Sequence, residues 1–125
     1  MGLQDRKPAV TGPSEWFTGH VTLESIVEKA DGSPVNIAAV HFSPGARTAW
    51  HSHEGAQTLY VTEGRGLVQA RGEEPVKLRG GDVHVTPSGV EHWHGAIRDS
   101  LMTHFSITPG AATWGEHVTD AQYGG

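Results

Sequence analysis

The chain has 125 residues and a formal charge of −5, room for one folded domain around one core. Its 9 Lys and Arg residues are scattered singly or in pairs, so no basic footprint marks nucleic acid or a membrane surface as a partner. With 0 cysteines, disulfides, thiolate metal ligands and a cysteine nucleophile are excluded.

The polar start Met1-Gly2-Leu3-Gln4-Asp5-Arg6-Lys7-Pro8 lacks the apolar core of a signal peptide, and no apolar run approaches a membrane span, so a cytoplasmic location is expected. Apolar residues come in short runs, broken by 17 glycines and 7 prolines, and no segment sustains a helical period. This predicts an all-β domain of sandwich or barrel type. In chain order, strands are expected over 16–26, 35–42, 58–63, 66–71, 82–86, 91–96 and 101–108. The turns between them are Asp31-Gly32-Ser33-Pro34, Ser43-Pro44-Gly45, Glu63-Gly64-Arg65-Gly66, Arg79-Gly80-Gly81-Asp82 and Thr86-Pro87-Ser88-Gly89. Residues 1–14 and 110–125 are less regular, and the segment Thr113-Trp114-Gly115-Glu116-His117-Val118 is expected to pack back on the barrel as a strand or turn. No repeat or linker divides the chain, so residues 1–125 form a single domain.

The 9 histidines equal Lys and Arg in number, which points to metal or acid–base chemistry. His51 and His53 differ by two, so on an extended strand both imidazoles leave the same face. Gln57 shares that parity, with Gly55 available for a bend between them. Further on, Pro87 and Gly89 form a turn that places His92 at the start of the next strand.

The spacing Gly45-x5-His51-x-His53-x3-Gln57-x6-Gly64, followed by Gly81-x5-Pro87-x-Gly89-x2-His92, resembles both conserved motifs of the cupin superfamily. The resemblance implies a jelly-roll β-barrel whose metal motifs lie at 45–64 and 81–96, with His51, His53, Gln57 and His92 as ligands of one divalent metal. Two departures stand out: Gln57 replaces the family's usual Glu, and Ala96 stands where Asn is common. Three imidazoles and an amide leave the ion's charge uncompensated, which favours a strong Lewis acid that prefers anionic ligands and disfavours oxidation to a trivalent ion. That differs from the two-His, one-carboxylate site of iron oxygenases.

The segments Glu15-Trp16-Phe17-Thr18-Gly19, Pro44-Gly45-Ala46-Arg47-Thr48-Ala49-Trp50-His51, Gln57-Thr58-Leu59, His92-Trp93-His94-Gly95-Ala96, Met102-Thr103-His104 and Glu116-His117-Val118-Thr119-Asp120-Ala121-Gln122-Tyr123 are similar to those of bacterial manganese-dependent cupin hydroxynitrile lyases. This closer resemblance implies cyanohydrin cleavage and formation on a divalent ion, manganese first, with iron, nickel and zinc as alternatives. It implies His104 as the base and a substrate pocket walled by Ala38, Val40, Phe42, Thr48, His94 and Thr108. The competing functions are a metal-dependent cupin dioxygenase or oxidative-cleavage enzyme, a sugar isomerase or epimerase, and a cupin that binds a small molecule without catalysis.

Several residues have plainer readings. Along 101–108, Leu101, Phe105 and Ile107 are more apolar than Met102, His104 and Ser106, so strand parity alone turns His104 towards solvent. His20, His41, His84 and His117 are expected to be structural or exposed, and Trp16, Trp50, Trp93 and Trp114 to pack the barrel. Arg47 is read as pairing with an acid at the rim, or as a carboxylate binder. The partners expected are a small-molecule substrate and further copies of the chain, as a homodimer or homotetramer. The faces Leu101/Phe105/Ile107 and Val21/Leu23 are candidates for that association.

Overall fold

In a computed structural model, which describes residues 2–125, these short apolar runs pair into one curled sheet that closes into a half-barrel. Its strands are β1 (Val10–Thr11), β2 (Phe17–Thr18), β3 (Val21–Val27), β4 (Asn36–Phe42), β5 (Arg47–Thr48) and β6 (His51–His53). They continue with β7 (Gln57–Ala70), β8 (Val76–Arg79), β9 (Val83–Thr86), β10 (His92–Ala96), β11 (Met102–Thr108) and β12 (Ala112–Trp114). A 3-10 turn spans Lys29–Asp31, and one short helix, α1, spans Asp120–Tyr123. Among the described residues no helix is long and apolar enough to cross a membrane. The all-β expectation holds.

The strand order is β1-β3-β4-β11-β7-β10-β5-β2, with β8 and β9 also on β7, and β6 between β10 and β12. The turn expected at Glu63-Gly64-Arg65-Gly66 is instead a bend inside one 14-residue strand, β7. Gly64 has φ +79°, and a Cβ there would lie 1.8 Å from the Leu101 carbonyl oxygen. The first half of β7 pairs with β11 and β9, and the second half with β10 and β8. A single backbone therefore belongs to both walls of the barrel.

Inward side chains follow period 2. Val21 on β3, Val40 and Phe42 on β4, Val61 and Val68 on β7 and Met102 on β11 fill the closed end with Phe17. The parity reading of β11 is overturned. Met102 and His104 are fully buried, whereas Leu101 is exposed and Phe105 and Ile107 sit half-buried on the outer face. Aromatic Tyr60 on β7, with Val83 and Val85 on β9, is exposed too, so the outside of this wall is itself apolar, and polarity fails to tell outside from inside. Val21 is 1% exposed and Leu23 lines an internal cavity, which removes that pair as an association face.

The chain's end packs back as expected, through β12 and then α1. Thr119 caps α1, accepting from the Gln122 amide, while the Gln122 side chain accepts from the Thr119 N–H. Arg47, 5% exposed, donates to the Val118 carbonyl at 2.8 Å and to Asp120 at 2.9 Å, so it fastens the helix to the barrel. Tyr123 donates to the Ala96 carbonyl at 2.6 Å and packs on Trp93, in a second apolar cluster with Trp50, Leu67 and Val118.

Candidate metal centre

Antiparallel pairing of β6 with β10 sets His51 opposite His92, and the same parity carries His53 to that face. One nitrogen from each of these imidazoles lies within 4.8 Å of the other two, a spread that one ion can bridge. The local backbone selects the tautomers. His51 Nδ1–H donates to the Ala49 carbonyl at 2.9 Å and His92 Nδ1–H to the Val90 carbonyl at 2.9 Å, which leaves both Nε2 lone pairs free for the centre.

Gln57 opens β7 at the edge of this cluster. Its Nε2 donates to Ser106 Oγ at 2.8 Å, which turns Oε1 towards His92 Nε2, also at 2.8 Å. With His92 carrying its proton on Nδ1, two acceptors face one another at that distance. A cation between them reconciles the contact. Both ring nitrogens of His53 are buried with no protein partner, a second sign that the set is built for an external group. The three imidazoles could hold a metal ion, and the Gln57 amide oxygen lies beside them, a set of neutral groups suited to a borderline divalent metal.

Charge is kept out of the cluster. Burial, then the neighbouring His92, holds His51 well below the ordinary histidine value. Burial and the same neighbour lower His53 to about 4. Burial lowers His92 as well. All three rings are neutral at pH 7, as ligation requires.

Beside them lies a second histidine pair. His94, on the same face of β10 as His92, meets His104 from β11, with Nδ1 and Nε2 3.0 Å apart. Both are completely buried, and Phe42 packs against both rings. Burial first, then His104 and His51, pushes His94 well below its ordinary value, and burial brings His104 to about 4. His94 Nε2 has no partner in the protein.

A cavity of about 180 Å³ adjoins the cluster, lined by His51, His53 and Gln57. Four of the residues expected in its wall, Ala38, Val40, Thr48 and His94, are there. Phe42 and Thr108 are not: Phe42 lies one layer deeper, behind the two histidines, and Thr108 lies towards the open end. His104 is also absent from the lining, although its ring packs on that of His94, which is there. Of the pair, His94 is the one that lines the cavity.

Trp16, Phe17, Leu23, Ser106 and Trp114 complete the wall and were not anticipated. Ser106 shares the parity of His104, which was the available signal. Trp114 arrives by pairing of β12 with β6, directly opposite His51, and its ring stacks on His51 at 4.6 Å and on Trp16 at 5.0 Å. No local pattern announces that pairing.

Comparison with known proteins agrees with this geometry. The cupin domain model matches residues 38–108. An (R)-mandelonitrile lyase from Granulicella tundricola is 45% identical over 116 residues, spanning 90% of this chain and 88% of that protein. Among solved structures, a cupin-like protein from Thermotoga maritima is 39% identical with a TM-score of 0.88, covering 98% of this chain and 95% of its own. A cupin-2 domain protein from Rhodospirillum rubrum, 18% identical with a TM-score of 0.74 over 98% of this chain and 84% of its own, shares the fold.

Proposed function

The chain belongs to the cupin family, and from that premise we propose that it is a metal-dependent lyase that cleaves and forms cyanohydrins, interconverting them with an aldehyde and hydrogen cyanide. The observation that carries this reading is the carboxylate-free set His51, His53, Gln57 and His92 beside a small cavity with a neutral histidine in its wall. Similarity to the Granulicella tundricola lyase over nearly the whole chain supports it.

A divalent ion at this site, manganese first among the candidates, would supply Lewis-acid stabilisation to negative charge growing on the substrate oxygen. The chain's own groups do the rest. With the proton of this 3.0 Å pair on His94 Nδ1 and donated to His104 Nε2, His94 Nε2 would be the lone pair that takes the hydroxyl proton. The carbon–cyanide bond then breaks with its electron pair on cyanide, the carbonyl forms, and cyanide takes the proton from His94 Nε2. His104 acts as a positioning residue: it fixes the tautomer and accepts from the imidazolium while that exists. The aromatic wall of Trp16, Phe17 and Trp114 offers an apolar face that suits an aryl substituent. Ser106 holds the Gln57 amide in the orientation that offers oxygen to the ion.

The test is mandelonitrile cleavage by the manganese-loaded protein under anaerobic conditions, with metal content measured in parallel. Benzaldehyde release above a His51→Ala control supports the lyase, and release no greater than that control refutes it. Activity that appears only with oxygen, with oxygen consumed, would instead assign an oxidative cupin.

A further inference from the structure

Beyond the cavity at the metal cluster, the half-barrel opens into a second chamber of about 430 Å³. Leu23, Ala38 and Ser106 line both spaces, so the two adjoin. The inward side chains change in step along three strands. On β4 they run Phe42, Val40, Ala38, Asn36, and on β11 Met102, His104, Ser106, Thr108. On β3 they run Val21, Leu23, Ser25, and there a bulge shifts the register between Ser25 and Val27.

Large side chains therefore close the deep end, the small Ala38 and Ser106 border both chambers beside Leu23, and the small Ser25 widens the outer one. Hydrogen-bonding groups stand at the mouth. A barrel that only needed a filled interior would place large residues at positions 38 and 106 as well. The N-terminal segment borders the outer chamber through Pro8 and Val10. The preceding Lys7 is tied down by an ion pair with Asp31 and by Glu28 at 3.7 Å.

The inner cavity, at about 180 Å³, falls below the roughly 300–1,000 Å³ of ordinary small-molecule sites. It suffices for one ring and its reacting carbon. We propose that the outer chamber is a binding subsite for the far end of the substrate, and that the natural substrate is an aryl compound extended beyond mandelonitrile, with a hydrogen-bonding group at its distal end. The proposal rests on the reading that the inner cavity is the reaction site. Its chemistry comes from the lining. Val10, Val27 and Ile37 offer apolar surface to a second ring or chain, while Ser25, Asn36, Thr108 and the Glu28 carboxylate offer partners to a hydroxyl or amide. The Asn36 side-chain Oδ1 already accepts from the Lys29 backbone N–H, which leaves its NH₂ as the free donor.

Isothermal titration with three probes tests this: benzyl alcohol, para-phenylbenzyl alcohol, and para-(para-hydroxyphenyl)benzyl alcohol. Titrations use metal-free and manganese-loaded protein. The second probe is expected to bind about tenfold tighter than the first, near 1.4 kcal/mol, and the third tighter again. Ser25→Leu or Thr108→Leu, either of which fills the chamber, should erase that gain. Equal affinity for the three probes on the wild-type protein overturns the proposal, as does a gain that survives in both variants. Cyanohydrin cleavage enters none of these measurements. A length-dependent gain without benzaldehyde release would therefore sink the lyase and keep the subsite, and the reverse result would do the opposite.

Discussion

His104 offers a quantitative test of how the interior treats charge. An unfolded histidine titrates near 6.5. In the folded protein His104, completely buried, titrates at about 4 because burial penalises its charged form. Between these values only the unfolded chain binds the proton. The contribution of His104 to stability is complete above the unfolded value and is lost as pH falls from there towards 4. Integrated from pH 7 to pH 5, the loss is about 2 kcal/mol. With a urea m-value of about 2 kcal/mol/M, the midpoint moves by about 1 M. His51, His53 and His94 act in the same direction, so the wild-type protein should lose more than His104 alone accounts for. The perturbation is His104→Gln, which can offer an acceptor oxygen near the Nε2 position and cannot titrate. Urea unfolding of EDTA-stripped wild type and variant at pH 7, 6 and 5 gives both slopes. The variant should lose about 2 kcal/mol less across that window, whatever its stability at pH 7. Parallel slopes would show that His104 titrates near its solution value, and the account of a charge-excluding interior would fail.

Two further outcomes follow from the site and the bend. Gln57→Glu adds a carboxylate to the neutral donor set and should tighten divalent metal binding about tenfold in chelator competition, while lowering the rate of cyanohydrin cleavage because the ion becomes a weaker Lewis acid. Gly64→Ala puts a Cβ 1.8 Å from the Leu101 carbonyl at a φ of +79°, and should cost about 3 kcal/mol in denaturant unfolding.

The metal cluster was legible because its signal is local. His51-x-His53 fixes two side chains on one face by strand periodicity, and Pro87-x-Gly89 fixes the turn that delivers His92. His104 was misplaced by parity because the outer wall around Tyr60, Phe105 and Val85 is as apolar as an interior, which removes the contrast that parity needs. Gly64-x-Gly66 read as a hairpin turn, yet both glycines serve close approach: a Cβ on Gly66 would lie 2.3 Å from the Gly95 carbonyl oxygen. The aromatic half of the cavity wall was invisible for a different reason. Trp16 and Trp114 are separated by most of the chain and meet only through pairing of β2 with β5 and β12 with β6.

The bent strand β7 also bears on the order of events. Gln57 opens it in the wall shared with β11, whereas His92 sits on β10, which pairs with its far half. The donor set is therefore assembled only when the two walls have closed on each other. Closure joins segments distant in sequence, the slow and late part of forming such a topology. An ion seated there cannot nucleate the chain. It holds shut a barrel that has already formed, so its stabilisation falls on the rate of opening and leaves the rate of folding nearly unchanged.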